Sequence, residues 1–341
     1  MLTFDPAALA RLVHSATGHA LVDVTPMPGG ASTRRYLRVK TPARTAIAMF
    51  VPDAAPEEIT TVGSAPARWP FIEVHELLAA RGVRVPSILG EAVCDGLLLI
   101  EDLGDETLAA FLERAPSRKA EVYRVAVNDL ARAQRALNEL PGDSVVATRA
   151  FDETLLRWEL DHFREWALDA RDRALPAEDR ATFDAIADRL ARRIAAWPRS
   201  FVHRDYQSRN IMVLGSADIE LVWIDFQDAL LGPRVYDLVA LLNDSYQSFD
   251  RAFIEARLDD FAAARGLDKA SREELGREFD VVTVQRKLKD AGRFIFIDRV
   301  KKNPSFLPYF EPSLAKVSGA LDRLADEPDM RALARIVRLA A

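Results

Sequence analysis

Hydrophobic spacing along the chain changes character near residue 105. Before that point the apolar residues come in short runs; after it they recur at helical intervals. Residues 5–18 have helical spacing, with Asp5 placed to cap, Pro6 in the first turn and Gly18 as the stop. The stretch "VTPMPGGASTRRYLRVK" puts Gly29-Gly30 between two candidate strands. "RTAIAMFVP" is a further strand, closed by Pro52. A helix over about 67–81 ends at Gly82, and "GEAVCDGLLLIEDLG" reads as two strands with a turn at Asp95-Gly96. From Thr107 onward helical periodicity covers about 118–140, 151–169, 176–196, 234–246, 250–264, 271–298 and 311–340. Residues 200–227 interrupt it: "SFVHRDY", "NIMVL" and "LVWIDF" look like short strands and loops in helical surroundings. "DARDRALPAEDR", 169–180, is a solvated charged loop. The pattern predicts an α+β chain, with a small strand-rich part at 1–103, a larger helical part at 104–341, and a join near Asp102–Gly104.

Composition narrows the function. The 341 residues are 49% hydrophobic and 29% charged, enough for a sizeable core. A formal net charge of -6 argues against a nucleic-acid binder or an anionic-membrane binder, since both usually carry a basic excess. Cys94 is the single cysteine, so an intramolecular disulfide and a Cys-based metal cluster are both excluded. It reads as a small buried residue near a strand. No apolar run approaches the ~18 residues of a membrane span, and the expectation is a cytoplasmic monomer acting on a small molecule.

The stretch "VHRDYQSRNIMVL" carries the chemistry. Asp205 and Asn210 stand five positions apart in a polar segment between two apolar ends, and Asp225 ends the run "LVWI". All three sit where short strands stop and side chains can converge on a cleft. An Asp and an Asn oxygen are hard ligands of the kind Mg²⁺ accepts, while a second Asp can orient and deprotonate an attacking hydroxyl. Phosphoryl transfer uses that division of labour. Asp237, in "VYDLVALL", reads as a buried acid satisfied by backbone donors. Asp228 fits substrate contact, metal contact or solvent equally well.

"HRDYQSRN" resembles the H-R-D-x-x-x-x-N loop of the protein-kinase-like superfamily, and "IDF", with Asp225 twenty residues after Asp205, resembles its D-F-G segment. Gln227 replaces the glycine, which sets the chain apart from the protein kinases proper. "IDFQDALLGPRVYDLVALL" instead looks like the aminoglycoside and sugar phosphotransferase branch. With "PGGASTRRY" and the "AM" strand, the similarity extends over about residues 27–310 to the anomeric N-acetylmuramate/N-acetylglucosamine 1-kinases of cell-wall recycling. The resemblance implies a two-lobed protein-kinase-like fold with a small antiparallel-sheet N-lobe and a mostly helical C-lobe. It also implies an ATP- and Mg²⁺-dependent kinase that phosphorylates the anomeric hydroxyl of an amino sugar. Asp205 corresponds to the catalytic base, Asn210 and Asp225 to the metal ligands, and His203 and Arg204 brace the loop. Gly30, Ser32 and Thr33 correspond to the phosphate loop, and backbone groups of Glu101 and Leu103 to an adenine-binding hinge.

One departure stands out. Met49 lies where the wider superfamily keeps its phosphate-binding lysine, so Arg34 or Arg35 is the candidate replacement cation, with Glu73 or Glu76 as its partner. Arg286, Lys289 and Arg293 fall at helical spacing on one face and suit an anionic sugar substituent such as a lactyl carboxylate. Trp158, Glu159 or His162 either line the sugar pocket or belong to the core. Two other functions fit the chain: an aminoglycoside or other small-molecule phosphotransferase, and a nucleotide-binding pseudokinase acting as an interaction module. The full set of Asp205, Asn210 and Asp225 counts against the pseudokinase.

Overall fold

The stretches "TAIAMF" and "LLLIE" are apolar at successive positions because both faces of their sheet are covered. The computed structural model describes residues 5–28, 34–51, 68–215 and 218–339. In chain order the first part contains α1 (Pro6–Thr17), β1 (Asp23–Pro26), β2 (Arg35–Lys40), β3 (Thr45–Phe50), α2 (Pro70–Ala80), β4 (Ile88–Ala92) and β5 (Leu97–Glu101). The five strands form one antiparallel sheet in the order β1-β2-β3-β5-β4. Successive side chains point to opposite faces. Ala46, Ala48, Phe50, Leu97 and Leu99 pack with Leu9, Leu12 and Val13 of α1. Ile47, Met49, Leu98 and Ile100 point the other way and join Phe71, Ile72 and Val74 of α2.

Local signals end these elements. Asp5 Oδ1 accepts the N–H of Ala7 at 2.9 Å, and Gly18 closes α1 at φ 72°. Between β4 and β5 the chain makes one 3₁₀ turn, Val93–Asp95, stopped by Gly96 at φ 70°. A Cβ at Gly96 would meet the Val51 carbonyl oxygen at 2.8 Å, so conformation and space both require glycine there. Cys94 lies in this turn and is exposed, contrary to the buried position expected of it.

The second part contains α3 (Leu108–Arg114), α4 (Lys119–Ala136), α5 (Glu153–His162), α6 (Ala177–Ala195), β6 (Arg199–Val202), β7 (Ile211–Leu214), β8 (Glu220–Trp223) and β9 (Leu230–Pro233). It ends in α7 (Tyr236–Leu242), α8 (Arg251–Arg265), α9 (Lys269–Arg299), α10 (Phe310–Arg323) and α11 (Pro328–Val337). A π-helical turn, Phe163–Leu168, prolongs α5. The periodicity over 311–340 is two helices, because Pro328 opens a new one at its N-terminus and cannot continue the old. β9, "LLGP", carries no strand signal in its sequence and forms by pairing with β6.

That pairing positions the site. β6 pairs with β9 and β7 with β8, so Val202 lies opposite Leu230 and Ile211 opposite Trp223. The loops 203–210 and 224–229 therefore leave the two ribbons side by side. Among the described residues no helix is long and apolar enough to cross a membrane.

Candidate active site

Asp237, the second residue of α7, holds the first loop by its backbone. Its Oδ2 accepts the N–H of His203 at 2.7 Å and its Oδ1 the N–H of Arg204 at 3.0 Å. Burial nevertheless raises this carboxyl to about 7, against the two donors and the charge of Arg286. Asp244, seven residues on, accepts the N–H of Ser208 at 2.8 Å. The clamp keeps Arg204 at φ 81°, and Asp225 in the facing loop has φ 63°. Such left-handed values at non-glycine residues cost ~1–3 kcal/mol each and persist only where the surroundings impose them. His203 is fully buried, with its ring edge-on to Trp223 at 5.6 Å, and burial lowers its imidazole to about 4. It is a neutral packing residue.

The two loops bring Asp205, Asn210 and Asp225 together on the floor of a cleft of about 1110 Å³. Asn210 Nδ2 donates to the Asp205 carbonyl at 2.9 Å and lies 3.5 Å from Asp225 Oδ2. The two acids are tuned in opposite directions. Burial pushes Asp205 up, but Arg286, Lys289 and Arg204 together outweigh it and hold the carboxyl below its ordinary value. Asp225 is raised to about 6 by burial and then by the Asp205 charge, with Gln227 and Arg34 opposing. About a third of the Asp205 side chain (36%) and rather more of Asp225 (42%) remain open to solvent.

Gln227, at the glycine position of the D-F-G-like segment, donates from Nε2 to Asp225 Oδ1 at 2.9 Å and to Asp228 Oδ2 at 3.3 Å. A glycine could not fix the carboxylate in this way. The departure from the motif was the sequence signal for this role.

Among the described residues, the N-lobe brings one cation to the cleft. Arg34 lines the cleft, buried, with Nη1 3.5 Å from Asp225 Oδ1. Arg35 does not share the role, because it begins β2 on the same face as Leu37 and Val39 and is exposed on the far side of the sheet. Met49 is fully buried among Phe71, Val74 and Leu98, so its position belongs to the core. Neither acid proposed to pair with the cation does so: Glu73 accepts the N–H of Val145, and Glu76 pairs with Arg68. Gly30, Ser32 and Thr33 lie outside the described residues. At the hinge, the Glu101 N–H is spent on the Ser87 carbonyl and its carboxylate on Arg84. Leu103 lines the cleft and makes no hydrogen bond to another described residue, so its backbone groups face the cleft without a protein partner among those residues.

The basic face of α9 divides. Lys289 and Arg293 line the cleft. Arg286, expected beside them, lies behind the loop with 2% of its side chain exposed. Its Nη1 donates to the Arg204 carbonyl at 2.8 Å and its Nη2 is 3.4 Å from Asp205 Oδ1, so it faces the acid and not a ligand. Trp158, Glu159 and His162 of α5 all border the cleft. No motif or spacing singled out Arg209, whose guanidinium lies 3.6 Å over the ring of Tyr246 and donates to Tyr309 Oη at 3.2 Å.

The donors fit a hard divalent cation bound together with phosphate. Asp225 bears a negative charge that its surroundings resist, and Asn210 commits its nitrogen to Asp205, which leaves its oxygen as a ligand. Among the described residues, no group of three or more His, Cys, Asp or Glu side chains could hold a metal ion.

A sheet lobe over a helical lobe, with an acid and an Asn–Asp pair at the junction of two adjacent loops, defines a protein-kinase-like phosphotransferase. The Phosphotransferase enzyme family profile matches residues 23–275, and the chain belongs to that family. It is 34% identical over 291 residues (84% of this chain, 80% of the relative) to an N-acetylmuramate/N-acetylglucosamine kinase of Pseudomonas aeruginosa. It is 31% identical over 315 residues (89% and 88%) to a kinase of the same name from Neisseria meningitidis. In fold it resembles the aminoglycoside phosphotransferase APH(2")-IIa in its gentamicin complex, with TM-score 0.60 at 12% identity over 93% of this chain and 97% of that one. A microcompartment-associated aminopropanol kinase superposes with TM-score 0.59 at 14% identity over 92% and 97%.

Proposed function

We propose that this chain transfers the γ-phosphate of ATP to the anomeric hydroxyl of N-acetylmuramate and N-acetylglucosamine, as part of peptidoglycan recycling. The observation that carries the reading is Asp205 beside Asn210 and Asp225 on the cleft floor, in a chain whose relatives are named for those two sugars. ATP and Mg²⁺ are the required partners. We take the enzyme to be a cytoplasmic monomer, with its N-lobe ending at 103 and its C-lobe beginning at 104.

Asn210 and Asp225 hold the metal. Bound Mg²⁺ neutralises charge on the phosphate oxygens. Arg34 approaches the same phosphates from the N-lobe, in place of a lysine, and the Leu103 backbone meets the adenine. Asp205 accepts the hydrogen bond of the sugar C1 hydroxyl and takes its proton. Its lowered pKa makes it a weak base, which suits a loose transition state in which the nucleophile loses its proton late and positioning matters most. The anomeric hydroxyl, more acidic than the ring alcohols, asks less of such a base. Lys289 and Arg293 border the acceptor half of the cleft and suit the lactyl carboxylate of N-acetylmuramate.

The test is ADP release with N-acetylmuramate, N-acetylglucosamine, glucose and kanamycin, each with and without Mg²⁺. Metal-dependent turnover of the two amino sugars is expected. Faster turnover of kanamycin, or no ADP with any acceptor, would overturn the reading.

A further inference from the structure

We propose that Trp158 is the platform on which the pyranose ring of the acceptor stacks. The inference rests on the amino-sugar reading of the cleft and names the residue that sets how the ring lies. Among the described residues, the exposed large hydrophobic side chains are four aliphatic ones, Val22, Val93, Val300 and Leu339, and one aromatic, Trp158. Half of the Trp158 surface (50%) is open, and the residue borders the cleft. Ligand clefts are lined mainly by apolar and aromatic side chains, and Trp158 supplies such a surface at the edge of this one.

The platform is braced by its neighbours. One helical turn on, the His162 ring lies 5.4 Å from the indole at an interplanar angle of 31°. His162 in turn contacts Phe296 at 5.4 Å, and Phe296 meets Trp166 edge-on at 5.0 Å. Beside Trp158, the buried Glu159 accepts a hydrogen bond from Gln285 Nε2 at 2.8 Å, which pins α5 to α9. The indole therefore needs no rearrangement to receive a ring.

The occupant follows from what adjoins it. The aromatic wall runs from Trp158 through His162 and Phe296 to Arg293, whose guanidinium lies 4.9 Å over the Phe296 ring. A hexopyranose presents axial C–H bonds on its faces and hydroxyls at its rim. An electron-rich indole attracts such a C–H face, while rim substituents reach polar partners. Glu159 is also 3.9 Å from Arg204 Nη2, so the platform residue is one position from a group that contacts the catalytic loop. Trp158 reads the ring common to both sugars, whereas Arg293 reads a substituent that only one of them carries.

Steady-state kinetics with both sugars tests the division. Trp158→Ala should raise the KM for N-acetylmuramate and for N-acetylglucosamine alike by about tenfold, the effect of a stacked aromatic contact. Trp158→Phe should restore most of it, and the KM for ATP should stay within about twofold. Adding N-acetylglucosamine without nucleotide should change the tryptophan emission of the wild type and not that of Trp158→Phe. If the wild type phosphorylates these sugars while Trp158→Ala keeps its sugar KM, the platform is wrong and the kinase reading stands. Equal rises in the KM for sugar and ATP would mean general loosening and would also overturn it. A wild type inactive on every amino sugar would remove the kinase reading and the platform with it.

Discussion

Arg286 lies directly behind Asp205: its Nη1 donates to the Arg204 carbonyl at 2.8 Å and its Nη2 sits 3.4 Å from the Asp205 carboxylate. The cation is almost wholly buried, and its charge holds Asp205 down against burial. Arg286→Met should therefore cost about 2 kcal/mol of stability, since it leaves the Arg204 carbonyl without its charged donor and removes a counter-charge of Asp205. It should also lower kcat. The ratio of kcat/KM between N-acetylmuramate and N-acetylglucosamine should not move, whereas Arg293→Ala should reduce that ratio by about tenfold. Urea melts and the two-sugar comparison check both halves.

Asp205 and Asp225 share a cleft floor but differ in charge environment, and their variants should fail differently. Asp205→Asn should bind Mg-ATP normally by calorimetry and lose about 10²-fold or more in kcat, the contribution of a positioned base. Asp225→Ala should lose Mg-ATP binding itself. Normal calorimetric affinity in Asp225→Ala would remove it from the metal site.

For the N-lobe, Arg34→Ala should raise the KM for ATP by about tenfold, the loss of one charge-assisted contact. Arg35→Ala should leave it unchanged, because that side chain faces away from the cleft. Met49→Lys should not create a substitute: it would bury a charge among Phe71, Val74 and Leu98 and lower the melting temperature. Equal ATP kinetics for the Arg34 and Arg35 variants would contradict this assignment.

His203 makes stability depend on pH. Its folded value of about 4 lies below the model-peptide value near 6.5, so between these the unfolded chain binds more protons. The neutral ring's contribution, about 3 kcal/mol, is complete above pH 6.5 and is lost as pH falls toward 4. His203→Phe should flatten the pH dependence in this window relative to wild type, as measured by denaturant midpoints at pH 4.5 and 7. An unchanged slope would mean the imidazole is not buried neutral.

The polar loop 203–210 was legible because polar residues between two apolar ends are costly, and Asp237 was legible as an acid needing backbone donors. The strand pattern of the sheet was equally plain, since "TAIAMF" must bury both faces. The position of Arg286 was not. Residues 286 and 293 share a helical face, but seven residues separate them by ~10 Å along the axis. Periodicity gives a face and says nothing of what each level meets. The choice between Arg34 and Arg35 depended likewise on where β2 begins, since a shift of one residue exchanges the two faces. β9 became a strand only through its partner, which no local pattern encodes.

The position of the transferred phosphate tests the central claim most directly. The enzyme, ATP, Mg²⁺ and N-acetylmuramate are incubated, and the product is examined by phosphorus NMR before and after mild acid. One new phosphate resonance coupled to the anomeric proton is expected, lost to inorganic phosphate on acid treatment and formed about a hundredfold more slowly or less with Asp205→Asn. An acid-stable phosphate on another hydroxyl, or the same product at undiminished rate from Asp205→Asn, would contradict it.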